Sequence, residues 1–197
     1  MWCLGFESWH KGCIERDRKN ETPRIEEKIM NVAQTLEAAS MLTASQQYKG
    51  FSAQLDRVTQ EEISFSHGLS AFEEHQTFHF RKEPRLKPFI YMHSTLDANV
   101  SFVCVDPFIL SPSYVVSVSQ EVVKKLELSS LSDALILCLV SVGKDMYTTT
   151  ANLMSPIIIN PSTLKGEQLI MENIGAEFLR FNVWNSIGNN SKTISNK

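Results

Sequence analysis

From about Gln47 onward the chain is a succession of short runs rich in Val, Ile, Phe and Tyr, separated by turn residues. Runs of this length, bounded this way, read as strands and not as helices. Gln60 to Ser66 alternates, with Ile63 and Phe65 on one face. Phe78 and Phe80 do the same around His79. Pro88 to His93, Asn99 to Asp106 and Ser113 to Ser119 are further β-rich runs. Ala134 to Val142 is uniformly apolar, as expected of a strand buried on both faces. Ile157 to Asn160 and Gln168 to Met171 complete the set. One short helix interrupts them between Gln120 and Leu128, where Val122, Val123 and Leu126 share a face and Ser119 is placed to cap it. Many short strands and few helices predict a mostly β domain of the barrel or sandwich kind.

The chain outside this region has a different texture. The first twenty residues are charged and lack a clear period. Thr22-Pro23 then reads as a helix cap followed by Pro at the first helical position. Ile25, Ile29, Val32, Leu36 and Ala39 follow at helical spacing, which predicts an amphipathic helix over 22–40. Three readings of residues 1–46 stand: a helix that packs on the domain or frays, a helix that binds a partner, or a stretch left untranslated because Met41 is the start. The β runs begin after it, so it is expected to be dispensable for folding. Residues 47–184 form the expected β domain. Residues 185–197, rich in Asn, Ser and Lys, are expected to be disordered.

Composition narrows what such a domain can do. At 197 residues the chain suits one domain with an appendage, or at most two small domains, and 43% hydrophobic content is enough for a packed core. The net charge is −3, and from Gln47 to Trp184 there are 11 Lys and Arg against 15 Asp and Glu. A mildly acidic domain suits a basic protein partner better than a phosphate backbone, so no direct nucleic-acid binding is expected. Cys3, Cys13, Cys104 and Cys138 form no Cys-x-x-Cys pair. Cys104 and Cys138 lie in apolar runs, where a free thiol acts as a small core hydrophobe. No apolar stretch reaches the length of a membrane span, and the N-terminus is too soon charged for a signal peptide. The expected setting is a reducing cytoplasm, away from the membrane.

No catalytic constellation competes with a binding role. His75 and His79 are four apart, which on a helix would place both on one face with Glu73 or Glu74 as a third ligand. The Phe-His-Phe context of His79 indicates a strand instead, so surface histidines without a metal are expected. There is no Gly-x-Ser-x-Gly elbow, phosphate-binding glycine loop or His-Glu-x-x-His. Ser66 and His67 are adjacent and on a strand point to opposite faces, a poor arrangement for a nucleophile and its base. Arg81, Lys82, Arg85 and Lys87 cluster between two strands, but Glu83 and Pro84 interrupt them, and a solvated loop is expected. Gly68 is placed to allow a turn, and Gly143, before Lys144-Asp145, to end a hairpin.

Four ordered stretches remain. They are Gly68-Leu69-Ser70-Ala71-Phe72-Glu73, then Pro88-Phe89 with Ser94, then Asp106-Pro107 with Tyr114, then Asn152-Leu153-Met154-Ser155-Pro156-Ile157. In type, order and spacing they resemble the flagellar assembly factor FliW family, over about Gln47 to Leu179. Ser70 and Ala71 stand where the family has Pro and Gly, His93 where Gln is common, and Ser155 where Ala is usual. The resemblance implies a small antiparallel β barrel-like domain with short helices, no enzymatic activity and no cofactor or metal. It implies two protein partners, flagellin and the translational regulator CsrA. In the family's logic the free factor binds CsrA and relieves repression of flagellin translation, and unexported flagellin occupies the factor and releases CsrA. CsrA–RNA binding is weakened from a distance, a coupling between sites. A small β domain offers strand edges and grooves for such partners. Asn152 and Leu153, with Ser94 and Asp106, are the expected surface contacts. The plainer reading is that Asn152 bonds its own backbone and Asp106 opens a turn. Phe72, Phe89, Phe102 and Ile158 are expected in the core. The departures at Ser70, Ala71 and Ser155 and the long N-terminal addition leave an alternative open: a small β-barrel domain for a ligand or metal that has lost the regulatory role.

Overall fold

A computed structural model of the protein describes residues 51–172 and 174–184. The helix expected over 22–40, the Met41 start and the tail of residues 185–197 lie outside the described residues. Among the described residues nine strands join in one sheet: β1 (Glu62–Phe65), β2 (Thr77–Lys82), β3 (Ile90–Ser94), β4 (Ser101–Val105), β5 (Leu135–Ser141), β6 (Thr150–Ala151), β7 (Ile157–Asn160), β8 (Lys165–Gln168) and β9 (Phe181–Asn182). The neighbour order runs β4-β3-β2-β1-β8-β7-β5, and β5 pairs back onto β4, so seven of the strands close a barrel. β6 and β9 extend from the side of β5 as a short ribbon. Every pairing is antiparallel except β1 with β8, where Phe65 lies opposite Gly166 in a parallel joint. The mostly β, barrel-like domain with short helices predicted from the runs is the fold.

Strand alternation sorts the side chains into two cores. Ile63, Phe65, Phe78, Phe80, Ile90, Met92, Phe102, Cys104, Leu135, Leu137, Leu139, Ile157 and Ile159 fill the barrel. Helix α1 (Phe51–Val58) closes one end of it with Leu55 and Val58. The partners of that alternation, Tyr91, Val103, Val105, Ile136, Cys138, Val140 and Ile158, face outward into a second core. Helix α2 (Pro107–Leu110), the stretch after it, helix α3 (Gln120–Lys125) and a 3-10 turn at Ala176–Arg180 supply the apolar side chains over this face. β5 therefore has both faces covered, which its uniform apolarity requires. Ser119 caps α3, its Oγ accepting from the Val122 N–H at 3.3 Å.

Some expectations are corrected. Ser113 to Ser119 is not a strand. Tyr114 and Val116 bury themselves on the outer core, and burial of side chains rather than a ladder holds the segment. The strand expected at Gln168 to Met171 lies earlier, at Lys165–Gln168. Beyond it the chain follows the Met154–Pro156 turn, the Leu169 and Met171 N–H groups donating to Pro156 and Met154 carbonyls. Pro156 has no N–H to return, so regular pairing stops there. Among the described residues, closure pairs most of the strand edges expected of a small β domain. α1 was not foreseen, although Phe51, Leu55 and Val58 stand at helical spacing.

Gly68 has a φ of +65° in a tight turn where Leu69 and Phe72 bridge. Ala71, three residues on, has a φ of +68°. A Cβ at such a φ meets the following carbonyl, which costs roughly 1–2 kcal/mol. Restoring the turn with Ala71→Gly is expected to stabilise the domain by about 0.5–1 kcal/mol after glycine's larger unfolded-state entropy is counted. A thermal melt should show a rise of about 2–6 °C. A fall would mean that Ala71 packs usefully where it is.

Candidate functional site

The four sequence stretches come together at two places, one by the barrel core and one on the outer core, with Phe89 of the second stretch packing into the outer core. At the barrel core, the Gly68–Glu73 turn leads to His75, whose Nδ1 lies 2.7 Å from Ser94 Oγ at the end of β3. Ser94 Oγ also accepts from the Leu96 and Asp97 N–H groups, at 3.1 and 3.4 Å. Phe72 packs edge-on to Phe102 and against the His75 ring. His75 is thus buried, which corrects the expectation of a surface histidine. His79 is exposed on β2 and faces His93 of β3 across the sheet, not His75.

On the outer core, Asp106 caps α2 by accepting from the Phe108 N–H at 2.9 Å. The chain then brings Tyr114 inward, and its hydroxyl donates to the Leu153 carbonyl at 2.6 Å. Asn152 Oδ1 accepts from the Met154 N–H at 3.0 Å, which fixes the turn between β6 and β7. The Leu153 N–H donates to the Phe178 carbonyl at 2.8 Å. One turn therefore ties down the segment at Tyr114, the 3-10 turn at Phe178 and the chain at Met171.

All four expected contact residues lie below the surface: Asn152 is 4% exposed, Leu153 0%, Ser94 6% and Asp106 4%. This corrects their placement as surface contacts. Leu153 is an apolar member of the outer core, and for the three polar residues the physical reason is the same. A short polar side chain satisfies backbone N–H groups that turns leave unpaired, and burying it hides those groups from water. The plainer reading of Asn152 and Asp106 is the one the geometry realises. Phe89, Phe102 and Ile158 are core, and Phe72 is half-buried.

Burial sets the protonation of this region. It pushes the Asp106 carboxyl up to about 6, against the opposing pull of the Phe108 N–H bond. It raises the thiols of Cys104 and Cys138 and the Tyr114 hydroxyl as well, so all three stay protonated. Neither free thiol is a thiolate nucleophile. Among the described residues no three His, Cys, Asp or Glu side chains stand together as a metal-holding group. No helix among them is long and apolar enough to cross a membrane. The expected basic cluster is exposed, with Lys82 paired to Asp56 and Arg81 lying 5.4 Å from the Tyr91 ring centre.

What the outer core does present is a groove of about 630 Å³. One wall is Ser111, Ser113, Tyr114, Val115, Ser117 and Ser119. The other includes Ile170, Met171, Glu172, Ile174 and Phe178. Val115 is 74% exposed and Ile170 68%. Sequence reasoning missed this surface. The available signal was Val115, an apolar residue breaking the polar face of an otherwise alternating run.

The sequence profile of the FliW protein family matches residues 47–179 of this chain. The flagellar assembly factor FliW of Caldicellulosiruptor bescii is 37% identical over 111 residues, spanning 56% of this chain and 72% of that protein. The factor of the same name from Treponema pallidum is 34% identical over 109 residues, spanning 55% and 72%. A crystal structure of the flagellar assembly factor FliW matches with a TM-score of 0.56 at 27% identity, over 59% of this chain and 81% of that one.

Proposed function

This chain belongs to the FliW family of flagellar assembly factors, and from that membership we propose that it binds flagellin and CsrA in turn, in the cytoplasm, as a partner switch. Free of flagellin it holds CsrA and relieves repression of flagellin translation. Occupied by accumulated flagellin, it lets CsrA go. The observation that carries the reading is the family match across the whole barrel, from α1 to the Phe178 turn. The architecture is consistent with it. The family stretches are spent on turns and inter-segment bonds, which leaves surface, not a reactive group, to act.

Titrating the folded chain with flagellin and with CsrA from the same genome, by calorimetry, tests the reading. Saturable heat is expected with each. A sample that melts cooperatively and gives no heat with either protein would refute it.

A further inference from the structure

We propose that Val115–Val118 is a receptive edge that takes up a segment of a partner protein as an added strand, apolar at alternate positions and carrying Lys or Arg. The inference rests on the partner-binding reading above and deepens it by naming the place and the chemistry of the segment. Three observations support it. Tyr114 and Val116 are buried while Val115 and Ser117 are exposed, the alternation of a strand lying on a core. Yet among the described residues the N–H and C=O groups of Val115, Val116, Ser117 and Val118 make no hydrogen bond. Unpaired strand-like backbone beside a groove with apolar side chains such as Val115 and Ile170 is the arrangement that strand addition uses, the main chain giving affinity and alternate side chains selectivity.

Charge selects the occupant. The groove lining holds one charged residue, Glu172, and no base. Glu172 has no ion-pair partner among the described residues. An incoming strand with basic residues would meet complementary charge, and an acidic one would be repelled. Elsewhere closure pairs most of the strands, and the sheet ends in the two-residue β9. Val115–Val118 is therefore a longer receptive backbone than the sheet's own end.

Hydrogen exchange on the full chain, alone and saturated with flagellin or with CsrA, tests this. The Val115–Val118 amides should exchange fast in the free protein and alternate ones at least about tenfold slower in one of the complexes. Val115→Lys and Ile170→Lys, at exposed positions, should leave the melting temperature unchanged. Each should weaken that complex by about tenfold, which is ~1.4 kcal/mol, with Val115→Glu costing less. A complex that forms while these amides stay fast and the Lys variants bind normally would overturn the inference and leave the partner-binding reading intact. Slow exchange in the free chain, lost when residues 1–46 are removed, would give the groove to the chain's own extension. Slow exchange lost on dilution would give it to a second copy. Either result overturns the assignment to a partner. Absence of binding by the folded wild-type chain to both proteins removes the reading and the inference together.

Discussion

Replacing Asp106 by Asn is expected to stabilise the domain at pH 7.5 and to leave it nearly unchanged at pH 4. Asp106 is buried, and removal from water raises its carboxyl from 3.8 to about 6. The folded chain holds the proton until the pH nears 6, and the unfolded chain releases it near 3.8. A carboxyl raised on folding contributes its full stability below the unfolded value and loses it as pH rises through the folded one. A difference of about two units corresponds to roughly 2–3 kcal/mol between pH 4 and pH 7.5. Asn keeps the acceptor for the Phe108 N–H and serves about as well at a cap, so the substitution removes mainly the buried charge. Cys138, a thiol that feels the Asp106 charge, is itself held protonated and should not blur the transition. Urea melts of both proteins across this range should give stabilities that diverge between about pH 4 and pH 6 and run parallel above it. A difference that does not change with pH would show that the carboxylate finds compensation in the fold.

Gly166→Val is expected to cost about 2–4 kcal/mol and Gly166→Ala about 1–3 kcal/mol, large effects for one small residue in a strand. Gly166 sits in β8 opposite Phe65 at the one parallel joint among the described strands. A Cβ added there would come within 2.5 Å of Phe65 Cζ and 2.6 Å of Cε1. The ring cannot move aside freely. It is fully buried and packs edge-on to Phe78 with centres 5.4 Å apart. Glycine here is space for a ring and not a turn device. Phe65→Leu shortens the ring's reach, so the Gly166→Ala, Phe65→Leu double variant should lose less than the two single losses added together. Denaturant midpoints of the four proteins measure this. Strict additivity would mean that the clash is relieved elsewhere.

How much of this was legible in the sequence varied with the physics involved. The barrel strands were readable because their burial follows the period of two, as at Ile63 and Phe65 or Phe78 and Phe80. β5 was readable because two cores leave it no polar face. Ser113 to Ser119 carries the same alternation with no partner strand among the described residues, and pattern alone does not tell paired from unpaired backbone. Closure through β4 and β5 and the parallel joint depend on contacts far apart in the chain, which no local run encodes. The site was legible only in part. Short polar residues at turns mark both binding surfaces and self-satisfied turns, and here Asn152, Asp106 and Ser94 are the second kind. The exposed wall formed by Val115 and Ile170 depends on folding of two distant segments against each other.

The central claim is that the barrel works by holding one of two proteins at a time. A displacement titration addresses it most directly: the chain is first saturated with CsrA, and flagellin is then added while CsrA release is followed. The account predicts that flagellin frees CsrA in proportion to the complex it forms. Simultaneous, independent binding of both proteins to one folded chain would contradict it.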